Sequence, residues 1–327
     1  MKSLRKAVFF ILFFVFASCP YEPLWTPNYK PIDTDPPEEI EGVLRADSSK
    51  DVYQLIKDCG YNYEVPEDDR WANHHTVKHL RQIYDPFLER DVFAFDICHN
   101  STVIDIWLNS TERDKAPVSL LNDKQIDRQR NEIKTDNGSP EWGKARLGDS
   151  VTYRWKFKLP EGFVASASFT HIHQLKPVDG DDSMPTITLT VVKRTGQQGQ
   201  EMQLRYSDGQ DSSLVYLLQR IPLGDFLDEW ILVEEKVYYH DTEPEFEFCA
   251  ARMRDGRFLM EYIYDSASWS SSSPFRMIRD NSFVRPKWGI YRGILSGGNP
   301  VTGPLRDETV LFADFEIVAG SITYIQD

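Results

Sequence analysis

The sequence predicts an all-β fold, an antiparallel sandwich of two sheets. Three observations carry that expectation. Many short segments alternate apolar and polar side chains with period two, the pattern of a strand with one buried face. Gly, Pro, Asn and Asp punctuate them at short intervals. Few helices lie between the strands.

Element by element, residues 51–58 predict a short helix, with Val52, Leu55 and Ile56 on one side. Strands follow at 92–97 and 103–107. Residues 151–159 form a long alternating strand that stops at Pro160-Glu161-Gly162. Further strands are expected at 186–192, 230–239, 246–253 and 258–264, and Arg254-Asp255-Gly256-Arg257 supplies a hairpin turn between the last two. Strands 310–318 and 322–325 close the chain. A Ser-rich loop at 266–273 surrounds Trp269, and Gly297-Gly298-Asn299-Pro300 makes another loop. Internal repeats and heptads are absent from the sequence.

The N-terminus reads as an export signal over residues 1–18. Lys2, Arg5 and Lys6 precede an apolar run at 7–16, too short to span a bilayer, and Ala17-Ser18-Cys19 follows. The product is then secreted or extracytoplasmic. Phe16-Ala17-Ser18-Cys19 loosely resembles a lipoprotein cleavage box, so Cys19 is a site for a lipid anchor. A Pro- and Asp-rich tether at 19–45 leads into one domain at 46–327, expected to be a monomer. Export permits a disulfide, for which Cys59 and Cys98 are the favoured pair, while Cys249 sits in a strand pattern. Asn100, Asn109 and Asn137 each open a glycosylation sequon.

A net charge of −14 argues against broad binding to nucleic acid or to an anionic membrane. Membrane contact is expected only through lipid on Cys19. An acidic substrate must therefore meet a local basic cleft. The absence of a CxxC or Cys/His cluster gives no reason to expect zinc, and no cofactor is expected. Asp179-Gly180-Asp181-Asp182 could hold a structural Ca²⁺, but its spacing is not that of an EF-hand and a solvated turn is the simpler reading.

Three segments point to chemistry: Arg130-Asn131-Glu132-Ile133-Lys134, His171-Ile172-His173-Gln174-Leu175-Lys176 and Lys287-Trp288-Gly289-Ile290-Tyr291-Arg292. Alternation puts Arg130, Glu132 and Lys134 on one face, Gln174 and Lys176 on one face, and Lys287, Gly289 and Tyr291 on one face. If those faces line one concave sheet, they assemble cations, an amide, a base and a phenol. That set suits holding a carboxylated sugar and removing the proton beside its carboxylate. The eight Trp and fifteen Tyr could stack on sugar rings, although core packing is the simpler reading of any one of them.

In order and spacing, these segments resemble those of the jelly-roll polysaccharide lyases, the group of alginate, heparin and glucuronan lyases. Such alginate lyases carry an Arg-x-Glu-Leu-Arg strand, a Gln-Ile-His strand and a Tyr-Phe-Lys-Ala-Gly-Val-Tyr-Asn-Gln strand. The resemblance spans roughly residues 85–325. It implies a β-jelly-roll, concanavalin A-like sandwich and an exported enzyme that cleaves a uronic-acid-containing polysaccharide by β-elimination, leaving an unsaturated uronate end. One departure stands out: the family pattern has His two residues after Gln, and this chain has Lys176 there, with His171 and His173 upstream.

In that chemistry a base takes the C5 proton, the carboxylate is neutralised, and an acid protonates the leaving oxygen. Tyr291 is the expected acid, and it could also serve as base. The base is otherwise Lys176, His171 or His173. A lysine needs its pKa lowered from about 10.4 to act near neutrality, whereas histidine is suited by its ordinary pKa. Strict alternation puts both histidines on the face opposite Gln174, and a bulge would bring one round. Arg130 and Gln174 are expected to hold the carboxylate, with Glu132, Lys134, Lys287 and Arg292 completing the binding set. Asn131 is expected to be structural. Two alternatives share the fold: a non-catalytic carbohydrate-binding protein, and a glycoside hydrolase using Glu243, Glu245 and Glu247 on one strand face.

Overall fold

The structure is a computed structural model. It describes residues 41–65, 79–97, 128–193, 199–209, 214–271, 273–296, 299–301 and 305–320. The expectations for residues 1–40, strands 103–107 and 322–325, Cys98 and its pairing with Cys59, Asn100, Asn109 and the Gly297-Gly298 turn lie outside the described residues.

The chain order is β1 (Val43–Leu44), α1 (Val52–Asp58), β2 (Asn62–Glu64), β3 (Leu80–Asp85), β4 (Arg90–Ile97), β5 (Arg128–Lys134), β6 (Ser150–Lys158), β7 (Thr170–Val178), β8 (Ile187–Val192), β9 (Glu201–Ser207), β10 (Val215–Pro222), β11 (Trp230–Tyr238), β12 (Glu245–Arg252), β13 (Phe258–Ile263), β14 (Phe283–Gly293), β15 (Leu295–Ser296), β16 (Asn299–Pro300) and β17 (Glu308–Ala319). One sheet runs β13-β12-β11-β6-β17-β4-β3, with β1 added against β17, and the other runs β10-β9-β8-β7-β14-β5-β2. The pairings within both sheets are antiparallel. The two sheets enclose one apolar core, which makes the antiparallel jelly-roll sandwich.

Alternation decides which side chains fill it. In β6, Val151, Tyr153, Trp155 and Phe157 are buried while Thr152, Arg154 and Lys158 turn outward. From the opposite sheet come Ile133, Leu175, Trp288 and Ile290, each fully buried. Trp155 meets Trp288 edge-on with ring centroids 5.8 Å apart, and Phe315 packs on Trp288 at 5.1 Å. Side chains of this size contribute about 1.5–3 kcal/mol each on burial, so these layers tie the sheets together.

The helix forms where its spacing predicts. Asp51 caps it by accepting from the Tyr53 and Gln54 amides at 3.0 and 3.2 Å, and Val52, Leu55 and Ile56 are its buried side. The β12–β13 hairpin turns at Gly256, whose φ of 68° suits glycine. Strands β2, β3, β9 and β10 were not expected from the sequence. The first of these proves central to the site.

Candidate active site

Strand β14 lies between β5 and β7, and their registers bring the three segments together. Lys287 is paired with Lys134 on one side and Gln174 on the other, and Tyr291 with Arg130 and His171. Directly paired residues of an antiparallel ladder share a face. Lys287, Tyr291, Arg130, Glu132, Lys134, His171, Gln174 and Lys176 therefore stand on the outer face of the seven-stranded sheet.

Two irregularities produce this arrangement. The β7 ladder shifts against β8 between His171 and His173, and against β14 between Trp288 and Tyr291. Ile172 and His173 consequently both turn into the core, while His171 and Gln174 both turn outward. Gly289 makes the second irregularity feasible. Its φ is +149°, and a Cβ there would lie 2.1 Å from the Asn131 carbonyl oxygen and 2.7 Å from the Glu132 Cα. Only glycine lets β14 approach β5 this closely.

The phenol of Tyr291 is enclosed. Arg128 Nη1 donates to its oxygen, the Arg130 guanidinium lies over its ring at 4.3 Å, and Phe169 and His171 meet the ring edge-on at 5.0 and 5.7 Å. Burial raises the Tyr291 pKa, and Arg130 and Arg128 pull against that rise without cancelling it. At neutral pH it is a phenol, with a proton to give.

His171 stacks on Phe169 at 4.7 Å. Its Nδ1 is buried and has no hydrogen-bond partner among the described residues. Burial, reinforced by Arg205 and Arg130, lowers its pKa to about 3. The ring is therefore neutral near pH 7, with an unprotonated nitrogen, and is a weaker base than a free imidazole. Lys176 has its pKa lowered to about 8, chiefly by burial, with Lys287, Arg279 and Arg285 adding to the effect and Asp182 opposing it. Its ammonium donates to the Asp182 carbonyl, near the far end of β7 from His171.

Gln174 is buried and donates its amide to Glu132. Glu132, 1% exposed, also lies 3.6 Å from Lys287 and 3.4 Å from Arg130. It forms the floor under the cations, beneath any ligand that approaches from solvent. Beside it, as its cross-strand partner, sits a residue the sequence reading did not single out, Glu64 of β2. Its carboxylate accepts from Arg130 and Lys287, both at 2.7 Å, and from Lys134. Burial opposes its ionisation, but Lys287, Arg130 and Lys134 outweigh burial and hold it far below the usual carboxylate range.

Two expected site residues face elsewhere. His173 is fully buried behind the sheet: its Nδ1 donates to the Lys287 carbonyl at 3.0 Å, its Nε2 is 2.9 Å from Glu235 of β11, and Trp155 packs on it at 4.3 Å. Its place is a polar tie between the sheets, because alternation from Gln174 turns it inward while the bulge at Ile172 brings only His171 outward. Arg292 is also fully buried, donating to Gln129 at 2.9 Å and to the Arg306 carbonyl at 2.7 Å, because its position next to Tyr291 puts it on the inner face. Neither can touch a substrate on the outer face. Asn131 faces inward as expected, donating to the His79 and Asp96 carbonyls at 2.8 and 3.0 Å.

Arg128 was legible as the next outward position before Arg130, but the motif was read only from residue 130. Glu64 had no signal, since three residues are too few to show alternation. Glu243 lies in a bend before β12, and Glu245 and Glu247 lie on β12 of the other sheet, where Glu247 faces solvent and pairs with Lys236 at 3.6 Å. Among the described residues no group of three or more His, Cys, Asp or Glu could hold a metal ion. In the Asp179 turn, Asp179 accepts from Ser282 at 2.9 Å and Asp181 lies 3.8 Å from Arg279.

No family model matches the chain, and no curated protein matches it. Among solved structures it is similar to an endo-β-1,4-glucuronan lyase from the fungus Trichoderma reesei, at 14% identity over 79% of this chain and 93% of that one, with a TM-score of 0.46. It is similar to an exolytic alginate lyase from Zobellia galactanivorans, at 12% identity over 76% and 90%, with a TM-score of 0.47. An alginate lyase from Pseudomonas aeruginosa is similar at 14% identity over 80% and 98%, with a TM-score of 0.44.

Proposed function

We propose that this protein is an exported polysaccharide lyase that cleaves a uronic-acid-containing polysaccharide by β-elimination. The observation that carries the reading is the facing pair of a neutral imidazole, His171, and a phenol, Tyr291, on one sheet face beside clustered cations. A neutral imidazole is a proton acceptor and a phenol beside two guanidinium groups is a proton donor, the two roles an elimination requires. Export is supported by the charged and apolar pattern of residues 1–18.

In the proposed reaction, Arg130 and neighbouring cations neutralise the uronate carboxylate, which acidifies the C5 proton. Glu132, which accepts from Gln174, keeps Arg130 in place from below. His171 takes the C5 proton. The C4–O bond breaks as the C4–C5 double bond forms, and Tyr291 gives its proton to the departing oxygen. Arg128 and Arg130 then steady the phenolate until it recovers a proton. Lys176, close to the β7 end, is placed to meet the polymer away from the reacting sugar.

The test is ultraviolet absorbance of the protein incubated with alginate, glucuronan, heparin, hyaluronan, ulvan-type and pectic polymers. A rise from the unsaturated uronate is expected on at least one of them. Tyr291→Phe should then cut turnover by about 10²–10⁴-fold with little change in affinity. Binding without any rise in absorbance would instead indicate a carbohydrate-binding protein, and saturated products would indicate hydrolysis.

A further inference from the structure

The cation cluster is already occupied by a carboxylate that belongs to the chain. Arg130, Lys134 and Lys287 surround Glu64, and two of these cations also lie within 3.6 Å of Glu132. The two carboxylates are not equivalent. Glu132 is central, on the middle of β5, and 1% exposed. Glu64 is 24% exposed and ends a three-residue strand that, among the described residues, is at the edge of the sheet and pairs with β5 alone. The first is a fixed counterion. The second stands beside the first as its cross-strand partner, is the more exposed of the two, and sits on an element held by few ladder bonds.

We propose that Glu64 is an internal competitor for the substrate carboxylate: in the free protein it occupies the subsite formed by Arg130, Lys134 and Lys287, and a uronate must displace it to bind there. This inference rests on the reading of the site as one for polyuronates. Its consequence is selectivity by charge. Three cations facing two carboxylates leave one net positive charge, so the free site attracts an anion only weakly. A single free uronate cannot easily displace Glu64. A polymer that is anchored along the rest of the face presents its carboxylate at high effective concentration and can do so.

The experiment is calorimetric titration of the full-length protein and of Glu64→Gln with two probes, glucuronate and the polyuronate that gives product. Glu64→Gln keeps the shape and removes the charge, so it should bind glucuronate at least roughly tenfold more tightly. KM for the polymer should fall, and affinity should become more sensitive to salt because more positive charge is left for the ligand to neutralise. Equal or weaker glucuronate binding by Glu64→Gln would overturn the proposal, because a merely structural Glu64 would leave a loosened site. Should Glu64→Gln fail to fold, Glu64→Asp decides, since it retains the charge on a shorter arm. Tighter glucuronate binding than wild type then supports displacement, and equal or weaker binding overturns it. The binding readout separates the two proposals: tighter binding without unsaturated product sinks only the lyase reading, and product without tighter binding sinks only this one.

Discussion

The outer faces of the two sheets both carry alternating charged residues, and they use them differently. Across the eight-stranded sheet the signs alternate along a chain of ion pairs: Glu247 pairs with Lys236 at 3.6 Å, Lys236 with Glu234 at 3.2 Å, Glu234 with Arg154 at 2.6 Å, and Arg154 with Glu316 at 3.3 Å. Toward its ends this chain of pairs is hydrated, with Arg154 40% and Glu247 39% exposed, although Glu234 is 12% exposed. On the seven-stranded sheet, Arg130, Lys134 and Lys287 converge on the same carboxylate, and Lys287 is only 5% exposed. A chain of alternating charges in water is a solubility surface, whose field cancels over short distances. Cations gathered around shared counterions, shielded from water, form a site whose field persists and whose neighbours titrate abnormally. The net charge of −14 conceals this local concentration of positive charge.

The sharpest way to test that contrast is to ask which group accepts the proton. With His171 as base, kcat/KM should stay high down to an acid limb near its pKa of about 3, because the base must be deprotonated to work. With Lys176 as base, the rate should already fall as pH drops through about 8. A pH profile between 3 and 9 on a substrate that stays soluble distinguishes the two. His171→Ala should lower turnover by about 10²–10⁴-fold, and Lys176→Met should chiefly raise KM. A profile falling below pH 8, together with an active His171→Ala, would reassign the base.

A second test concerns the back of the same strand. His173 and Glu235 form a buried hydrogen-bonded pair between the sheets, directly behind Lys287. Glu235→Ala strips a buried imidazole nitrogen of its partner and should cost about 1–3 kcal/mol of stability, read as a lower urea midpoint at unchanged slope. Since the pair touches no substrate, kcat at a temperature where the protein is folded should fall far less than in His171→Ala. A collapse of kcat with native stability would place the pair in the catalytic machinery instead.

Much of this was legible because sandwich strands write their inward face directly into the sequence. Tyr153, Trp155 and Phe157 on β6 show the pattern, and the order of the three charged segments placed Arg130, Gln174 and Tyr291 on one sheet. What was not legible arises where period two breaks. His171 and His173 are two residues apart, and alternation assigns them one face. The extra residue at Ile172 separates them, and a bulge is fixed by tertiary fit to β8 and β14, not by local propensity. Arg292 adjoins Tyr291 in the sequence, yet one step along a strand reverses the face. Glu64 was invisible for a different reason: strand β2 is too short to carry a pattern, and its role comes only from the β5 residues beside it.

The smallest expected effect lies on the other sheet, and it is the control for the comparison. Arg154 makes two ion pairs, to Glu234 and Glu316, yet it is 40% exposed. Water and salt screen such pairs, and holding long side chains in place costs entropy that offsets most of the Coulomb gain. Arg154→Met keeps the aliphatic stem that lies along the sheet and removes the charge. It should change stability by no more than about 1 kcal/mol, with that small difference shrinking further in high salt, and should leave turnover unaltered. The same experiment on Lys287→Met should behave oppositely. There the lost ammonium leaves Glu64 and Glu132 facing each other with fewer counterions, so binding of the polyuronate should weaken and stability should fall together. If both substitutions prove equally mild, the seven-stranded face is another solubility surface, and its cations do not form a site.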